Sequence, residues 1–377
     1  MTAFDAIDTP AALIDQERMQ ANIMRMQRRM NDLGVRFRPH VKTSKCLNVA
    51  QAQIAAGAQG ITVSTLKEAE QFFEAGVKDV LYAVGMVSSK LSRALALCRS
   101  GCDLKLITDN VTSAREIAEF GQTHNHVFEV WIEIDTDGHR SGIAPEDGLL
   151  LEVARTLHDG GMRVGGVMTH AGSSYDYDKP ADLRRVAKQE ASLTVRAANR
   201  LRAQGLPCAE VSIGSTPTAL SFEDLEGVTE VRAGVYVFFD LVMHNVGVCS
   251  TDEIALSVLT TVIGHQPEKG WAIVDAGWMA MSRDRGTQKQ KCDFGLGQAC
   301  SVDGQPMQGY IMSSANQEHG IVSREGTPDP DIVRTLPIGT LLRILPNHAC
   351  ASAAQFPAYA VMMPDKQLQT WPRFYGW

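Results

Sequence analysis

The feature that most constrains the fold is a regular alternation of short apolar runs with longer segments of helical spacing. Eight strand-like runs follow one another, at 36–41, 60–64, 79–84, 103–108, 128–135, 163–169, 209–214 and 230–236. Helix-like segments lie between them, including 66–75, 112–121, 147–158 and 181–204. Eight strands that alternate with helices are typical of a parallel (β/α)8 barrel. A doubly wound open sheet is the competing α/β fold, but the GxGxxG turn that often marks it is absent.

The length of the chain indicates a second domain. A chain of 377 residues exceeds what one hydrophobic core usually serves. We expect the barrel to span residues 16–245 and a β-rich domain to comprise residues 1–15 and 246–377. The strand-like run 10–15 precedes the eight barrel strands and belongs with the second domain. Glycine and proline separate the later strand candidates, which are 254–264, 271–275, 309–313, 341–345 and 357–362.

Charge and composition exclude several classes of protein. The net charge of −7 provides no basic footprint for nucleic acid. No apolar run reaches the roughly 18 residues that a membrane span requires. The N-terminus lacks the basic and apolar regions of a signal peptide, so we expect a cytoplasmic protein. The eight cysteines are scattered without a CxxC pair, which is typical of a reduced protein.

Side chains that could take part in catalysis or binding follow the predicted barrel strands. In a (β/α)8 barrel the carboxyl ends of the strands converge on one face, and the active site lies at that face. Lys42 follows the first strand, and a lysine at this face is well placed to form a Schiff base. On local sequence alone, an ordinary solvated lysine is the commoner explanation. The residues of interest after strands five to eight are Asp135, His139, Arg140, His170, Ser173, Ser174, Tyr175, Gly214–Thr218 and Arg232–Tyr236.

The segments GSTPT (214–218) and RAGVY (232–236) form a candidate phosphate site. Small residues let backbone N–H groups approach an anion, and barrels often bind phosphate after strands seven and eight. Together with Lys42, this site indicates pyridoxal 5′-phosphate (PLP), which forms an imine with lysine. His170 could stack on the ring or be an ordinary core histidine. Arg140 could contact the phenolic oxygen or form a salt bridge with Asp135 or Asp137.

A second cluster lies in PNHACASAAQF at 346–356. His348 and Cys350 are two positions apart, and an extended backbone would place both side chains on one face. Imidazole and thiolate suit zinc, although two ligands alone are a weak metal signal and a structural role is the commoner one. Only two protein ligands would leave positions open for substrate oxygens.

The whole chain resembles the fold-type III PLP enzymes of the D-threonine aldolase and D-serine dehydratase group. The motifs that carry the resemblance span nearly all 377 residues. They are DTPAALID (8–15), RPHVKTSK (38–45), DTDGHRSG (135–142), THAGSSY (169–175), GSTPT (214–218), RAGVYVFFD (232–240), QEHG (317–320) and PNHAC (346–350).

The resemblance implies a role for each matching residue. Lys42 corresponds to the Schiff-base lysine, and Arg140 to the arginine at the PLP phenolic oxygen. The pyridine nitrogen faces either Tyr175 or Arg232, and the resemblance leaves this choice open. The implied phosphate contacts are Ser215, Thr216, Gly234 and Tyr236, and the implied metal ligands are His348 and Cys350.

The resemblance also implies a homodimer and a lyase reaction. Dehydratases of the group tend to carry HxC with zinc, whereas aldolases carry HxD with manganese or a similar ion. The HAC motif therefore favours β-elimination, in which a D-3-hydroxy amino acid such as 3-hydroxyaspartate or D-serine yields a 2-oxo acid and ammonia. The alternative within the group is retro-aldol cleavage to glycine and an aldehyde. Alternatives from other classes are a non-catalytic PLP carrier, which would lack the second domain, and a structural zinc protein.

Overall fold

The computed structural model describes residues 3–377. Its strands, in chain order, are β1 (Ala11–Asp15), β2 (Arg36–Pro39), β3 (Ile61–Val63), β4 (Asp79–Gly85), β5 (Asp103–Thr108), β6 (Glu129–Ile134), β7 (Arg163–Thr169), β8 (Glu210–Ile213), β9 (Glu230–Ala233), β10 (Leu256–Gln266), β11 (Trp271–Val274), β12 (Gly297–Ser301), β13 (Pro306–Ala315), β14 (Gly320–Arg324), β15 (Leu341–Pro346), β16 (Ala358–Met362) and β17 (Leu368–Pro372). Its helices are α1 (Gln16–Asp32), α2 (Leu47–Ala55), α3 (Leu66–Glu74), α4 (Ser88–Arg99), α5 (Val111–Thr123), α6 (Leu149–Asp159), α7 (Pro180–Ala203), α8 (Thr216–Ala219), α9 (Leu241–Val246), α10 (Trp278–Met281), α11 (Ile332–Thr335) and α12 (Ala349–Ala353).

These elements form two compact units. The barrel unit comprises Arg25–Gly234 and Phe374–Trp377. The sheet unit comprises the described residues up to Met24 and Val235–Arg373. Within residues 3–377, no helix has both the length and the apolarity needed to cross a membrane.

The barrel unit is a closed parallel sheet. Its eight strands lie in the order β2-β9-β8-β7-β6-β5-β4-β3, and every neighbouring pair is parallel. The two end strands meet at a bridge between His40 and Thr62, and the Val41 N–H donates to the Thr62 carbonyl over 2.9 Å. The sheet therefore closes on itself, and the predicted (β/α)8 barrel is confirmed.

Helix caps accompany the short loops at the carboxyl ends of β3 and β5. The Thr65 hydroxyl accepts the Glu68 N–H over 3.0 Å at the start of α3. The Asn110 side chain accepts the Ser113 N–H over 2.8 Å at the start of α5. A capping side chain satisfies a backbone donor that would otherwise lack a partner, so each helix begins immediately after its strand.

The barrel contains both an apolar cluster and a buried ion network. Side chains from four successive strands pack together in the apolar cluster, namely Leu81, Ile107, Trp131 and Met168. Arg38, which is 2% exposed, donates to Glu230 over 2.7 Å and to Asp79 over 2.7 Å. Ser212 then joins the Glu230 carboxylate to the Arg232 guanidinium, over 2.7 and 2.6 Å. A buried charge is tolerated only when it is paired in this way.

The sheet unit is β-rich, as predicted. Its nine strands lie in the order β11-β14-β13-β12-β15-β10-β1-β16-β17. Strand β1 pairs antiparallel with β10 and parallel with β16, which confirms that the run 10–15 lies outside the barrel. Strands β12, β14 and β17 were not predicted, because glycine and polar residues interrupt their apolar pattern. They are strands because neighbouring strands supply their hydrogen bonds.

Candidate active site

Lys42 lies at the carboxyl end of the barrel, one turn past β2. Its side chain is exposed, and its N–H lies 3.5 Å from His40 Nδ1. The charge of Lys42 lowers the pKa of both His40 and His170. Its position at the strand ends, beside His40, is therefore as the sequence predicted.

Positive charge converges on two histidines at this end of the barrel. Burial and the charges of Lys42, Arg140 and Arg232 lower the pKa of His170 to about 3. Burial, Lys42, Arg232 and His170 likewise hold the pKa of His40 well below its usual range. Both imidazoles are consequently neutral near neutral pH, and they are surrounded by cations that can attract an anion.

The His170 ring has a fixed tautomer and a partly exposed surface. Its Nδ1 lies 3.1 Å from the Gly214 carbonyl, which can only accept, so Nδ1 carries the hydrogen. The ring is half-buried, and its centroid lies 6.2 Å from that of Tyr175. Tyr175 is half-buried in the short 3-10 turn Gly172–Asp176. A neutral, oriented imidazole of this kind provides a flat surface on which an aromatic ring can stack.

Arg140 is exposed on the loop after β6. The two acidic residues proposed as its salt-bridge partners are occupied by backbone donors. Asp135 accepts the N–H groups of Asp137 (3.1 Å) and Gly138 (2.7 Å). Asp137 accepts the Ser173 N–H over 2.8 Å. The two carboxylates therefore stabilise the loop conformation. The charge of Arg140 contributes to the lowered pKa of His170.

The predicted phosphate turn begins at Gly214, where only glycine fits. Its φ of +126° is strained for other residues, and an added Cβ would lie 2.3 Å from the Arg232 carbonyl oxygen. Ser215 then caps α8, and its side chain and that of Thr218 bond to each other's backbone N–H groups. The Ser215 hydroxyl also lies 2.8 Å from that of Ser174. In the structure the Ser215 side chain thus stabilises the turn by its hydrogen bonds.

Of the three further residues of the predicted phosphate site, Thr216 and Tyr236 are buried and Gly234 is half-buried. Thr216 is the first residue of α8. An added Cβ at Gly234 would lie 3.1 Å from the His40 carbonyl oxygen and 3.2 Å from Thr43 Oγ1, so this position favours glycine. Tyr236, 1% exposed, lies in the 3-10 turn that follows and belongs to the sheet unit.

Arg232 is a buried cation on β9. It donates to the Ser212 hydroxyl and to the Thr169 carbonyl. Burial lowers its pKa to about 10, although the carboxylates of Glu230 and Glu190 oppose this shift. Arg232 therefore remains charged at neutral pH and contributes to the positive field at the strand ends.

Glu190 is a residue of this region that the sequence analysis did not identify. It is fully buried on α7, and one carboxylate oxygen accepts the N–H groups of Ala171 (3.0 Å) and Gly214 (2.9 Å). Burial raises its pKa to about 7. A signal was available, because Glu190 interrupts the apolar face that Val186 and Ala187 begin on this helix.

The predicted metal pair lies in the sheet unit, where the backbone is extended at His348 and helical at Cys350. His348 is the N-cap of α12, and Cys350 is its second residue. The sequence Ala-Cys-Ala-Ser-Ala favours a helix, and the buried Asp240 carboxylate accepts the Ala349 N–H over 2.9 Å. The His348 and Cys350 side chains nevertheless hydrogen-bond to each other.

The surroundings of His348 are anionic. The Cys350 sulfur raises the pKa of His348 to about 10, and the carboxylates of Asp240 and Asp284 add to the shift. Asp240 Oδ2 lies 3.9 Å from His348 Nδ1. In residues 3–377, no group of three or more His, Cys, Asp or Glu side chains forms a complete metal site. The arrangement is thus an imidazole and a thiol side by side, with a carboxylate 3.9 Å from the imidazole nitrogen.

Family models match both units. The model of the alanine racemase N-terminal domain matches residues 14–242, and that of a putative serine dehydratase domain matches residues 255–362. The chain is 64% identical to the D-threo-3-hydroxyaspartate dehydratase of Delftia sp. (strain HT23), over 98% of both chains. The chain belongs to the D-threo-3-hydroxyaspartate dehydratase family. The resemblance found in the sequence is thereby confirmed, as is the expected enzyme class, because a dehydratase of this kind is a carbon–oxygen lyase.

Other members of the family agree with this assignment. The D-serine dehydratase of Dictyostelium discoideum is 29% identical over 96% of this chain and 95% of its own. The solved structure of the Delftia dehydratase has a TM-score of 0.99 at 63% identity and covers all of both chains. Two solved variants of a D-threo-3-hydroxyaspartate dehydratase match with the same TM-score, one a cysteine-to-alanine variant in a metal-free form and one a histidine-to-alanine variant.

Substitution of Gly214 by alanine tests whether the turn depends on the close approach of two backbones. Gly76 also has a positive φ, of +97°, but has open space around it. We expect Gly76→Ala to lower the free energy of unfolding by about 1–2 kcal/mol because of its left-handed backbone. Gly214→Ala should lose roughly 1–3 kcal/mol more, because the Arg232 carbonyl must move. Urea unfolding of both variants measures the difference, and equal losses would contradict the expectation.

Proposed function

We propose that this protein is a PLP- and metal-dependent dehydratase that converts a D-3-hydroxy amino acid, D-threo-3-hydroxyaspartate or D-serine, to a 2-oxo acid and ammonia by β-elimination. The observation that carries the proposal is the convergence of Lys42, Arg140 and Arg232 on the neutral His170 at the strand ends. The 64% identity to a D-threo-3-hydroxyaspartate dehydratase supports the choice of substrate.

The barrel unit fits PLP in charge and in shape. The cations around His170 suit an anionic phosphate ester, and Gly214 and Gly234 allow the close backbone approach that phosphate sites use. Arg140 is proposed to donate to the phenolic oxygen, and His170 to stack on the ring. The proposed phosphate contacts are Ser215, Thr216, Gly234 and Tyr236, and the proposed partner of the pyridine nitrogen is Tyr175 or Arg232.

Lys42 is the proposed catalytic residue. When bound, PLP supplies an aldehyde that condenses with amines and a ring that withdraws electrons from Cα. Lys42 offers the primary amine for the covalent link. When it is not engaged in that link, its Nζ would serve as the base for the α-proton of the substrate. His170, held neutral, keeps its ring orientation throughout because Nδ1 stays bonded to the Gly214 carbonyl.

The sheet unit fits a soft divalent cation, and we propose zinc, with manganese or another divalent ion as the alternative. His348 and Cys350 provide an imidazole and a thiolate, and Asp240 and Asp284 add negative charge. When bound, zinc would supply a Lewis acid for departure of the 3-hydroxyl group. The two solved dehydratase variants replace a cysteine and a histidine that are two positions apart, the spacing of His348 and Cys350.

We further propose that residues 16–245 bind PLP, that residues 1–15 and 246–377 provide the metal ligands, and that the protein is a cytoplasmic homodimer. Within residues 3–377 none of the eight cysteines forms a disulfide, and five of them are buried, which supports a reducing compartment. The homodimer rests on the family resemblance, and sedimentation velocity is the direct measurement of it.

Product analysis tests the reaction. The purified protein, loaded with PLP and zinc, is incubated with D-threo-3-hydroxyaspartate, and the products are identified by mass spectrometry. We expect oxaloacetate and ammonia. Glycine and glyoxylate would instead identify an aldolase on the same fold, and the HAC motif would then not discriminate between the two reactions.

Substitution of Lys42 by arginine tests the covalent link. Arginine keeps the positive charge but offers no primary amine for an imine, so Lys42→Arg should lose the visible absorption band of lysine-bound PLP and all turnover. Absorbance and borohydride trapping of PLP on the protein measure the link. Retention of the band in Lys42→Arg would contradict the assignment.

Substitution of Cys350 by alanine tests the metal pair. Cys350→Ala should reduce bound zinc to less than about a tenth of one ion per chain and abolish elimination, because a single imidazole holds zinc poorly. Cys292→Ala is the matched control, since Cys292 is likewise a half-buried cysteine of the sheet unit that forms no disulfide. Mass spectrometry of the metal content measures both. Unchanged zinc in Cys350→Ala would refute the pair.

A further inference from the structure

Glu190 links the ends of two neighbouring barrel strands. Its side chain is fully buried on α7, and one oxygen accepts two backbone N–H groups. The first, from Ala171, follows β7, and the second, from Gly214, follows β8. The two loops lie beyond the last hydrogen bonds between β7 and β8. A single carboxylate oxygen thus connects them by accepting a hydrogen bond from each.

The same contacts fix the orientation of His170. The Gly214 N–H donates a hydrogen bond to Glu190, and the Gly214 carbonyl accepts one from His170 Nδ1. The Ala171 N–H, on the other side of His170, also reaches Glu190. His170 is therefore held at both its backbone and its ring by groups that depend on one carboxylate.

The turn has little freedom to relax if this anchor is removed. Gly214 approaches the Arg232 backbone so closely that even a Cβ is excluded. Ser215 and Thr218 bond reciprocally in the residues that follow. Loss of the Glu190 acceptor would leave two N–H groups buried without a partner, and the loops would have to move to satisfy them.

We propose that Glu190 is a positioning residue that orients His170 and the turn 214–218, and thereby sets the affinity of the protein for PLP. This inference rests on the proposed function. Because Glu190 is fully buried and bonds to both loops, its role is to act through them. What it supplies is a hydrogen-bond acceptor, which both the ionised and the protonated carboxyl group retain. A glutamine at this position should consequently preserve most of the effect.

The experiment compares PLP binding by apo protein of the wild type and of four variants. Glu190→Ala removes the acceptor, Glu190→Met removes it while keeping volume, and Glu190→Gln keeps it. Leu201→Ala is the matched control, because Leu201 is also fully buried on α7 but lies about three helical turns from Glu190. Absorbance titration gives the dissociation constant, and the circular dichroism of the cofactor band reports the orientation of the bound ring.

We expect Glu190→Ala and Glu190→Met to weaken PLP binding by roughly tenfold or more, which corresponds to about 1.4 kcal/mol, and to change the dichroic band. Glu190→Gln and Leu201→Ala should remain within about threefold of the wild type, with an unchanged band. If Glu190→Ala does not fold, Glu190→Met provides the same comparison.

Three results would overturn the positioning role. They are wild-type affinity and dichroism in Glu190→Met, an equal loss in Leu201→Ala, and a loss in Glu190→Gln as large as in Glu190→Met. Each of these leaves the proposed function intact, because the wild type still binds PLP. Failure of the wild type to bind PLP would overturn the proposed function and this inference with it.

Discussion

The barrel depends on the pairing of charges inside it. Arg38 on β2 lies between Glu230 on β9 and Asp79 on β4, and almost none of its surface reaches solvent. Removal of one partner from such a network costs several kcal/mol, on the order of 3–5, because the other charge is left buried alone. The network therefore fixes the relative positions of the strands. Through Ser212 it also extends to Arg232, and so the interior pairing helps to orient a cation of the candidate site.

The two units provide different electrostatic environments. At the strand ends of the barrel, Lys42, Arg140 and Arg232 surround histidines that burial keeps neutral. In the sheet unit, Cys350, Asp240 and Asp284 surround a histidine whose pKa is raised. The first environment suits an anionic cofactor and the second suits a cation. Histidine is common to both, and only its neighbours decide whether it is neutral or charged.

Most of the fold was predictable because its signals are local and repeated. The eight barrel strands were predicted to within three residues at each end, since buried parallel strands read as short apolar runs between helices. Strands β12, β14 and β17 were missed because their hydrogen bonds, and not their composition, define them. The extended backbone considered for 348–350 is present at His348 but ends there for a related reason, since the start of α12 is stabilised by Asp240, 109 positions earlier in the chain.

The sequence by itself determined the alternation of strands and helices, the position of Lys42 after a strand and the spacing of His348 and Cys350. Each of these features depends on residues that are close together in the chain, where periodicity and motif are informative. Only the tertiary structure showed that Glu190 accepts hydrogen bonds from two loops and that Asp240 lies beside His348. A buried carboxylate must find hydrogen-bond donors wherever the fold places them, and these donors lie on segments that are distant in sequence.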